Sequence, residues 1–286
     1  MDTTVLQFLA APFVASLILT GLHAYLGVHV VERGVIFVDL SLAQIAALGA
    51  AVALLMPFTG GDPHGPAVYW VSLGFTFIGA AVFSSLPHGR NARIPPEAMI
   101  GISYAVASAA AIVAMSQSTS QAEHLKDMLV GNILAVSWTE VGKTAAVYTL
   151  ISVFHYIFRH RFLLISMYPD RAQAEGISLR LWDFLFYASF GFVVTWSVSI
   201  AGVLLVFCYL IVPSVAAMLY AEGIGKRLAI GWSMGTVVSV LGMYFSVQFD
   251  LPTGATIVCT FGLVLIVMAA VKPLLIRRVQ KGSERF

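Results

Sequence analysis

The residues able to contact a cation are few and lie inside long apolar stretches. Asp39 is the clearest carboxylate, and Gln44 follows it a little over one helical turn later. An ionised carboxylate at the centre of a bilayer costs about 2.5–3.5 kcal/mol, so Asp39 should face a protein interior or water. The sequence leaves two roles open for Asp39, namely contact with a cation in transit or a pair with Arg33 near the membrane surface.

The other polar residues within apolar segments have simpler explanations. His23 and His155 each lack a second ligand at helical spacing, which favours packed or hydrogen-bonded imidazoles over a metal site. Glu97 opens an apolar segment, where a carboxylate suits a helix N-terminus. Pro213 interrupts another segment, and the kink it predicts would serve gating or only the shape of that helix.

Motifs for nucleotide hydrolysis and for zinc-dependent catalysis are absent. The sequence has no Gly-x-x-x-x-Gly-Lys-Ser/Thr phosphate loop and no His-Glu-x-x-His site. We therefore expect no catalytic residue, no bound cofactor and no ATP hydrolysis by this chain.

The composition indicates an integral membrane protein. Of 286 residues, 59% are apolar and only 10% are charged, and the mean hydropathy is +0.90, which lies outside the range of soluble domains. The net charge of +2 is too small to predict nucleic-acid binding. Cys208 and Cys259 both lie in apolar runs, so a disulfide framework is not expected.

Nine apolar stretches predict one all-α transmembrane domain over residues 1–286, since each span needs about 20 residues. The first six run from about Val5 to Val28, Gly34 to Pro57, Ala67 to Leu86, Glu97 to Met115, Trp138 to Phe158 and Leu181 to Ser199. After a turn at Ala201-Gly202 the seventh runs to about Tyr220, the eighth follows Lys226-Arg227 and ends near Phe249, and the ninth is opened by the turn Asp250 to Gly254 and closes at Lys272-Pro273. Residues 130–137 are apolar enough to be an interfacial or re-entrant piece, and the sequence does not decide between them.

Basic residues predict the orientation of these spans, because Lys and Arg accumulate in short cytoplasmic loops. With the N-terminus outside, only Lys126 and Lys143 fall on the outer side, and every other Lys and Arg is cytoplasmic. The C-terminus and the loop of residues 159–180 are then cytoplasmic as well.

That loop carries start and stop signals for a helix of little more than one turn. Asp170 is placed to cap the helix with Gln173 three residues on, Pro169 stiffens the entry, and Gly176 supplies a left-handed exit. So short a helix is unstable alone in water, so it must lie against something.

Small residues recur four apart on two predicted spans, which is typical of faces where helix backbones approach closely. The two sets are Gly101, Ala105 and Ala109, and Gly231, Gly235 and Ser239. They predict a compact bundle and say nothing about a substrate.

Several motifs occur in a consistent order along the chain. They are Gly34 to Gln44 with the following Ala-Leu-Gly, Glu97 to Gly101, Gly131 to Ser137, Asp170 to Gly176, Gly202 to Val206, Ile211 to Pro213, and Asp250 to Thr256. In this order the chain resembles the membrane-spanning permease subunits of metal-ion ABC transporters, the family that imports zinc, manganese or iron(II).

The resemblance implies a set of partners. The residues Asp170, Arg171, Ala172, Gln173, Ala174, Glu175 and Gly176 would form a coupling helix that fits a groove of a separate cytoplasmic ATPase, which uses the ATP. Two permease copies, expected to be a homodimer in the inner membrane, would form the pathway, and an extracytoplasmic binding protein would deliver the ion. Transport would then proceed by alternating access.

The sequence departs from this family where specificity matters. Family members commonly carry an Asp and, four residues later, a His in the second span. Aligned on Gly49, these positions hold Leu40 and Gln44, and Asp39 lies one residue early, about 100 degrees around the helix. An amide oxygen is a harder donor than an imidazole, so Asp39 and Gln44 are candidate ion contacts while the identity of the metal stays open.

Two other classes remain as alternatives. An ion-coupled secondary transporter would need no ATPase, but such proteins usually show paired carboxylates within the membrane or repeated halves. A non-transporting membrane assembly subunit would share the packing motifs.

Overall fold

The computed structural model describes residues 3–57, 65–86, 94–116 and 133–283, and within these ranges the regular structure is entirely helical. The α-helices are α1 (Thr3–Arg33), α2 (Val38–Leu54), α3 (Pro66–Ser84), α4 (Pro96–Met115), α5 (Trp138–Ile157), α6 (Arg159–Met167), α7 (Pro169–Ala174), α8 (Leu179–Ala201), α9 (Val203–Tyr220), α10 (Ile224–Phe249) and α11 (Thr253–Ser283). A short 3-10 turn, Ile133–Ala135, precedes α5.

Seven helices in the described part of the chain are long and apolar enough to cross a membrane, namely α1, α3, α4, α8, α9, α10 and α11. The pair α5 and α6, bent by 73° at their junction, gives an eighth span if it is counted as one. Helix α2 has 17 residues, which at 1.5 Å per residue reaches only about 25 Å of a core about 30 Å thick. The count of nine spans and the orientation of the termini therefore stay predictions.

Helix α1 ends sharply at Arg33 because Gly34 adopts a left-handed conformation, with φ of 67°. The Val35 amide donates to the Val30 carbonyl oxygen at 3.2 Å, and the Gly34 amide donates to the Val31 carbonyl oxygen at 3.1 Å. These two bonds form a Schellman motif, and α2 begins at Val38.

The chain divides into two compact units, Met1–Val28 with Asn132–Gly142 and Leu204–Phe286, and His29–Gly131 with Lys143–Val203. In the first unit the predicted small-residue face of α10 is confirmed as a packing face. A Cβ on Gly235 would lie 2.4 Å from the Thr20 methyl carbon, and Ser239 and Tyr209 share a hydrogen bond of 2.7 Å.

In the second unit α2 packs against α3, α4 and α8. A Cβ on Gly49 would lie 2.8 Å from the Phe75 Cβ, and the Ser72 hydroxyl donates to the Ala46 carbonyl oxygen at 2.7 Å. A glycine and a serine thus let α2 and α3 approach closely.

The other small-residue face, on α4, does not pack within this chain. Ala105 and Ala109 are exposed on this chain, and the buried face of α4 instead consists of Ile100, Ala107, Ala111 and Met115. In a lipid solvent apolar side chains are tolerated on either face, so small residues need not mark the face that packs within the chain.

The undecided stretch of residues 130–137 is described only from residue 133 onward. Ile133 is buried and begins the 3-10 turn Ile133–Ala135, and α5 starts at Trp138.

Candidate functional site

The segment between α5 and α8 contains more helix than the sequence predicted. Residues 159–167, expected to belong to a loop, form α6. The predicted short helix is confirmed as α7, but Asp170 is not its N-cap. Tyr168 holds that position without a side-chain hydrogen bond, and Pro169 is the first helical residue. Proline suits this position because its φ is fixed and no amide hydrogen is needed, and so the helix starts earlier than predicted.

The predicted exit of α7 at Gly176 is confirmed, with φ of 75°. The Ile177 amide donates to the Ala172 carbonyl oxygen at 3.0 Å, and the Gly176 amide donates to the Gln173 carbonyl oxygen, also at 3.0 Å. This second Schellman motif satisfies two carbonyl groups that a short helix would otherwise leave open.

Helix α7 has one buried and one exposed face. Ala172 is completely buried, which supplies the packing that a six-residue helix requires. Arg171, Gln173, Ala174 and Glu175 are exposed, and the Arg171 guanidinium lies 2.9 Å from the Glu175 carboxylate. The helix therefore exposes a polar surface of mixed charge, and its buried face consists of Ala172.

A cavity of about 400 Å³ lies beside α7. It is lined by the end of α3 and by the chain that follows α7, through residues Ser84, Ser85, Leu86, Gln173, Ile177, Ser178, Leu179 and Arg180. The polar surface of α7 thus continues into a concave one.

A buried polar cluster, which no local sequence pattern reveals, joins the end of α1 to α6 and α8, the helices before and after α7 in the chain. The Arg33 guanidinium donates through Nη1 to the Asp183 carboxylate at 2.5 Å and through Nε to the Ser166 hydroxyl at 2.8 Å. His29 Nδ1 lies 2.8 Å from the same hydroxyl. The suggested pair of Arg33 with Asp39 is therefore wrong, because Asp183, although 150 residues away in sequence, lies next to Arg33 in the fold.

Asp39 lies in the first turn of α2, and only 1% of its surface is exposed. Its carboxylate accepts a hydrogen bond from the Leu40 amide at 2.6 Å. Amides in the first turn of a helix lack partners within the helix, and a negative charge is favourable there. The Asp39 carboxylate thus has a structural role, because it stabilises the first turn of α2.

Gln44 accepts a hydrogen bond through its side-chain oxygen from the Ser108 hydroxyl, 3.1 Å away, which links α2 to α4. Five residues separate Gln44 from Asp39, so their side chains leave the helix about 140 degrees apart. The fold does not bring the two together, and no group of three His, Cys, Asp or Glu residues within the described ranges could hold a metal ion.

Glu97 lies in the first turn of α4, as expected, but its carboxylate forms a hydrogen bond to the residue before α2 rather than to α4. It accepts a hydrogen bond from the Phe37 amide, 3.1 Å away, at the residue before α2. Asp39 and Glu97 therefore both stabilise the start of α2. Pro213 lies inside α9, close to Gly231 of α10.

Both histidines predicted to be packed are buried and hydrogen-bonded. His23 Nδ1 lies 2.9 Å from the Leu19 carbonyl oxygen, and His155 Nε2 lies 2.9 Å from the Ser189 hydroxyl.

The sequence Gly231-Trp232-Ser233-Met234-Gly235 has the spacing of a hydrolase nucleophile elbow. It lies within α10 rather than at a turn between a strand and a helix, and the Ser233 hydroxyl donates to the Ala229 carbonyl oxygen. The two glycines of this sequence therefore belong to a helix packing face, and Ser233 is not placed as a nucleophile.

Apolar helices of spanning length in the described part of the chain define a multi-pass membrane protein. Residues 5–272 match the ABC 3 transport family, and the chain belongs to this family. It is therefore a membrane permease of a transport family and not an enzyme.

Three similar proteins illustrate the family. The chain is 26% identical to the manganese transport system membrane protein MntC of Halalkalibacterium halodurans, over 88% of this chain and 83% of that protein. It is also 26% identical to a probable iron transport system membrane protein of Haemophilus influenzae, over 88% and 89%. The structure of PsaBC from Streptococcus pneumoniae in complex with a Fab has the same fold, with a TM-score of 0.74 and 23% identity over 91% of this chain and 90% of that one.

Proposed function

We propose that this chain is the permease subunit of an ATP-driven importer of a divalent transition metal, with manganese(II) or iron as cargo. The observation that carries the proposal is the family match over residues 5–272, together with relatives named for manganese and iron transport. Zinc, which the sequence resemblance also included, has less support, since these relatives are named for manganese and iron transport.

The ATP would be used by a separate cytoplasmic subunit, because this chain has no phosphate loop of its own. Helix α7 is the proposed contact with that subunit. Its exposed face is polar and carries both charges on Arg171 and Glu175, and the adjacent cavity provides a concave surface. Such a surface suits a partner that must bind in one register.

Transport would follow alternating access. Two copies of the chain would enclose the path, an extracytoplasmic binding protein would deliver the ion, and closure of the ATPase pair would move α7. Since α6 and α8 lie directly before and after α7 in the chain, they would receive that movement first.

Asp39 and Gln44 are proposed as successive contacts of the ion rather than one chelating pair, because they leave α2 in different directions. Both offer oxygen donors, and oxygen ligands suit manganese(II) better than they suit softer metals. The absence of an imidazole at position 44 thus favours manganese among the candidate cargoes.

The test is co-purification with a candidate ATPase subunit from the same organism, followed by uptake of manganese(II) and iron(II) into proteoliposomes. Ala172 is buried, so a charge placed there would disturb folding. The test variant therefore changes only exposed residues. It exchanges the charges of the exposed pair, Arg171→Glu with Glu175→Arg, which keeps an ion pair within the helix. The matched control exchanges Glu222 and Lys226, which are also exposed and four residues apart.

We expect the α7 variant to lose the ATPase and the control to retain it, with equal yields of folded protein. Retention of the ATPase by both variants would contradict the docking role of α7. If wild-type protein captures no ATPase and imports ions without ATP, the secondary-transporter alternative replaces the proposal.

A further inference from the structure

Arg33, the last residue of α1, joins the two helices on either side of α7. Its Nε donates to Ser166 in α6, and its Nη1 donates to Asp183 in α8. We propose that Arg33 is the positioning residue that carries movement of α7 into α1. This inference rests on the proposed function, since it names the element through which the ATPase would drive transport.

The distances along the chain support direct transmission. Ser166 is three residues before Pro169, where α7 begins, and α7 packs against α6. Because Ala172 is completely buried, α7 cannot shift far without moving the structure behind it. A displacement of α7 therefore reaches Ser166, and through it Arg33.

The guanidinium is held on several sides. Its central carbon lies 4.1 Å from the centre of the Phe186 ring, and the side chains of Arg33 and Asp183 are only 7% and 3% exposed. A planar guanidinium that lies on an aromatic ring and donates to two separate acceptors has little freedom to rotate. The link is accordingly stiff rather than flexible.

His29, one turn before Arg33, also contacts Ser166, with 2.8 Å between His29 Nδ1 and the hydroxyl. The last turn of α1 is thus held at two points on the same face. Since α1 is helical from Thr3 to Arg33 and its internal proline is Pro12, far from Arg33, a rotation imposed on its last turn is passed along the helix as far as that proline.

Stability alone does not explain a buried ion pair at this position. The desolvation of two charges offsets most of their attraction, and apolar residues of similar size often replace such pairs without loss of stability. Removing one partner, in contrast, leaves a buried charge and is strongly destabilising. This difference separates a purely structural role from a role in transmission.

The experiment compares three variants of the permease, each reconstituted with its ATPase in proteoliposomes. Arg33→Met with Asp183→Leu replaces the whole pair by apolar side chains, Arg33→Lys keeps the charge but not the fork, and Arg159→Met removes an exposed arginine as the control. The readouts are thermal stability, ATP hydrolysis and manganese(II) imported per ATP hydrolysed.

We expect the double variant to fold with near wild-type stability while import per ATP falls about fivefold or more, the usual lower range of coupling between sites. Arg33→Lys should fall in the same direction, and Arg159→Met should match wild type. A stable double variant with wild-type import per ATP would overturn the proposal. If the double variant does not fold, Arg33→Lys with wild-type coupling would overturn it.

Amide hydrogen exchange separates failure of this inference from failure of the proposed function. In the wild-type complex, addition of ATP should change exchange in residues 29–33 together with residues 169–174, whatever the cargo. In the double variant only residues 169–174 should respond. A wild-type complex that hydrolyses ATP but imports neither manganese(II) nor iron(II) contradicts the proposed cargo, while its exchange pattern still decides the role of Arg33.

Discussion

Replacement of Gly27 by alanine should destabilise the protein, because α1 and α9 meet there almost backbone to backbone. A Cβ at this position would lie 1.9 Å from the Leu210 carbonyl oxygen and 2.4 Å from the Ser214 hydroxyl. Carbon and oxygen atoms in contact are normally about 3.3–3.6 Å apart, so the helices would have to separate by roughly 1.4 Å.

That separation has a cost that follows from the contacts nearby. The Ser214 hydroxyl donates to the Leu210 carbonyl oxygen of its own helix at 2.9 Å, and its longer contact of 3.2 Å with the Ala24 carbonyl oxygen would not survive the shift. Because the hydroxyl keeps its bond to Leu210, the cost is that of overpacking a core, about 1–3 kcal/mol. We therefore expect Gly27→Ala to lower the free energy of unfolding by about 1–3 kcal/mol.

The control lies on the same helix. A Cβ on Gly21 would meet nothing within 4 Å, and alanine favours a helix over glycine by about 0.5–1 kcal/mol. Gly21→Ala should therefore be neutral or slightly stabilising. Both variants can be compared with wild type by thermal unfolding in one detergent, followed through tryptophan fluorescence. Equal unfolding temperatures for Gly27→Ala and Gly21→Ala would refute the packing argument.

Three further substitutions test other parts of the structure. Gln44→His should raise zinc uptake relative to manganese uptake in competition assays, because it supplies an imidazole donor, and an unchanged ratio would exclude position 44 from the ion path. Gly176→Ala should cost about 1 kcal/mol or more in thermal stability and weaken ATPase capture, because φ is 75° there, whereas Gly223→Ala, at a φ of −82°, should leave capture unchanged. Glu97→Ala should destabilise by about 0.5–1.5 kcal/mol because the Phe37 amide loses its acceptor. Glu97→Gln keeps an acceptor oxygen and should cost less; equal losses would show that the charge of Glu97, not its hydrogen bond, stabilises the start of α2.

The positions of the helices were largely predictable from the sequence. In a bilayer the backbone must satisfy its own hydrogen bonds, so a long apolar run almost has to be a helix. The exit of α7 was also predictable, because a left-handed residue after a short helix is nearly always glycine, and Gly176 has φ of 75°. The start of α7 was not, because Asp170 and Pro169 offered competing signals and the proline decided.

The choice of partners across the fold lay beyond the sequence. Arg33 pairs with Asp183 rather than with Asp39, which is nearer in sequence. Glu97 lies at the start of α4 but accepts a hydrogen bond from the Phe37 amide at the start of α2. The buried face of α4 differs from the face that its small residues suggested. Lipid accepts apolar side chains on every face, so hydropathy does not tell which face meets a neighbouring helix.

The sequence by itself determined that this is a helical membrane protein, where its apolar segments lie and that a short helix interrupts the segment of residues 159–180. Each of these follows from local composition and from turn chemistry over a few residues. Only the tertiary structure decided that Arg33, Ser166 and Asp183 meet between the helices that precede and follow that short helix in the chain. Such a cluster depends on the packing of helices that are far apart in the chain. A local sequence pattern does not predict which of their faces will meet.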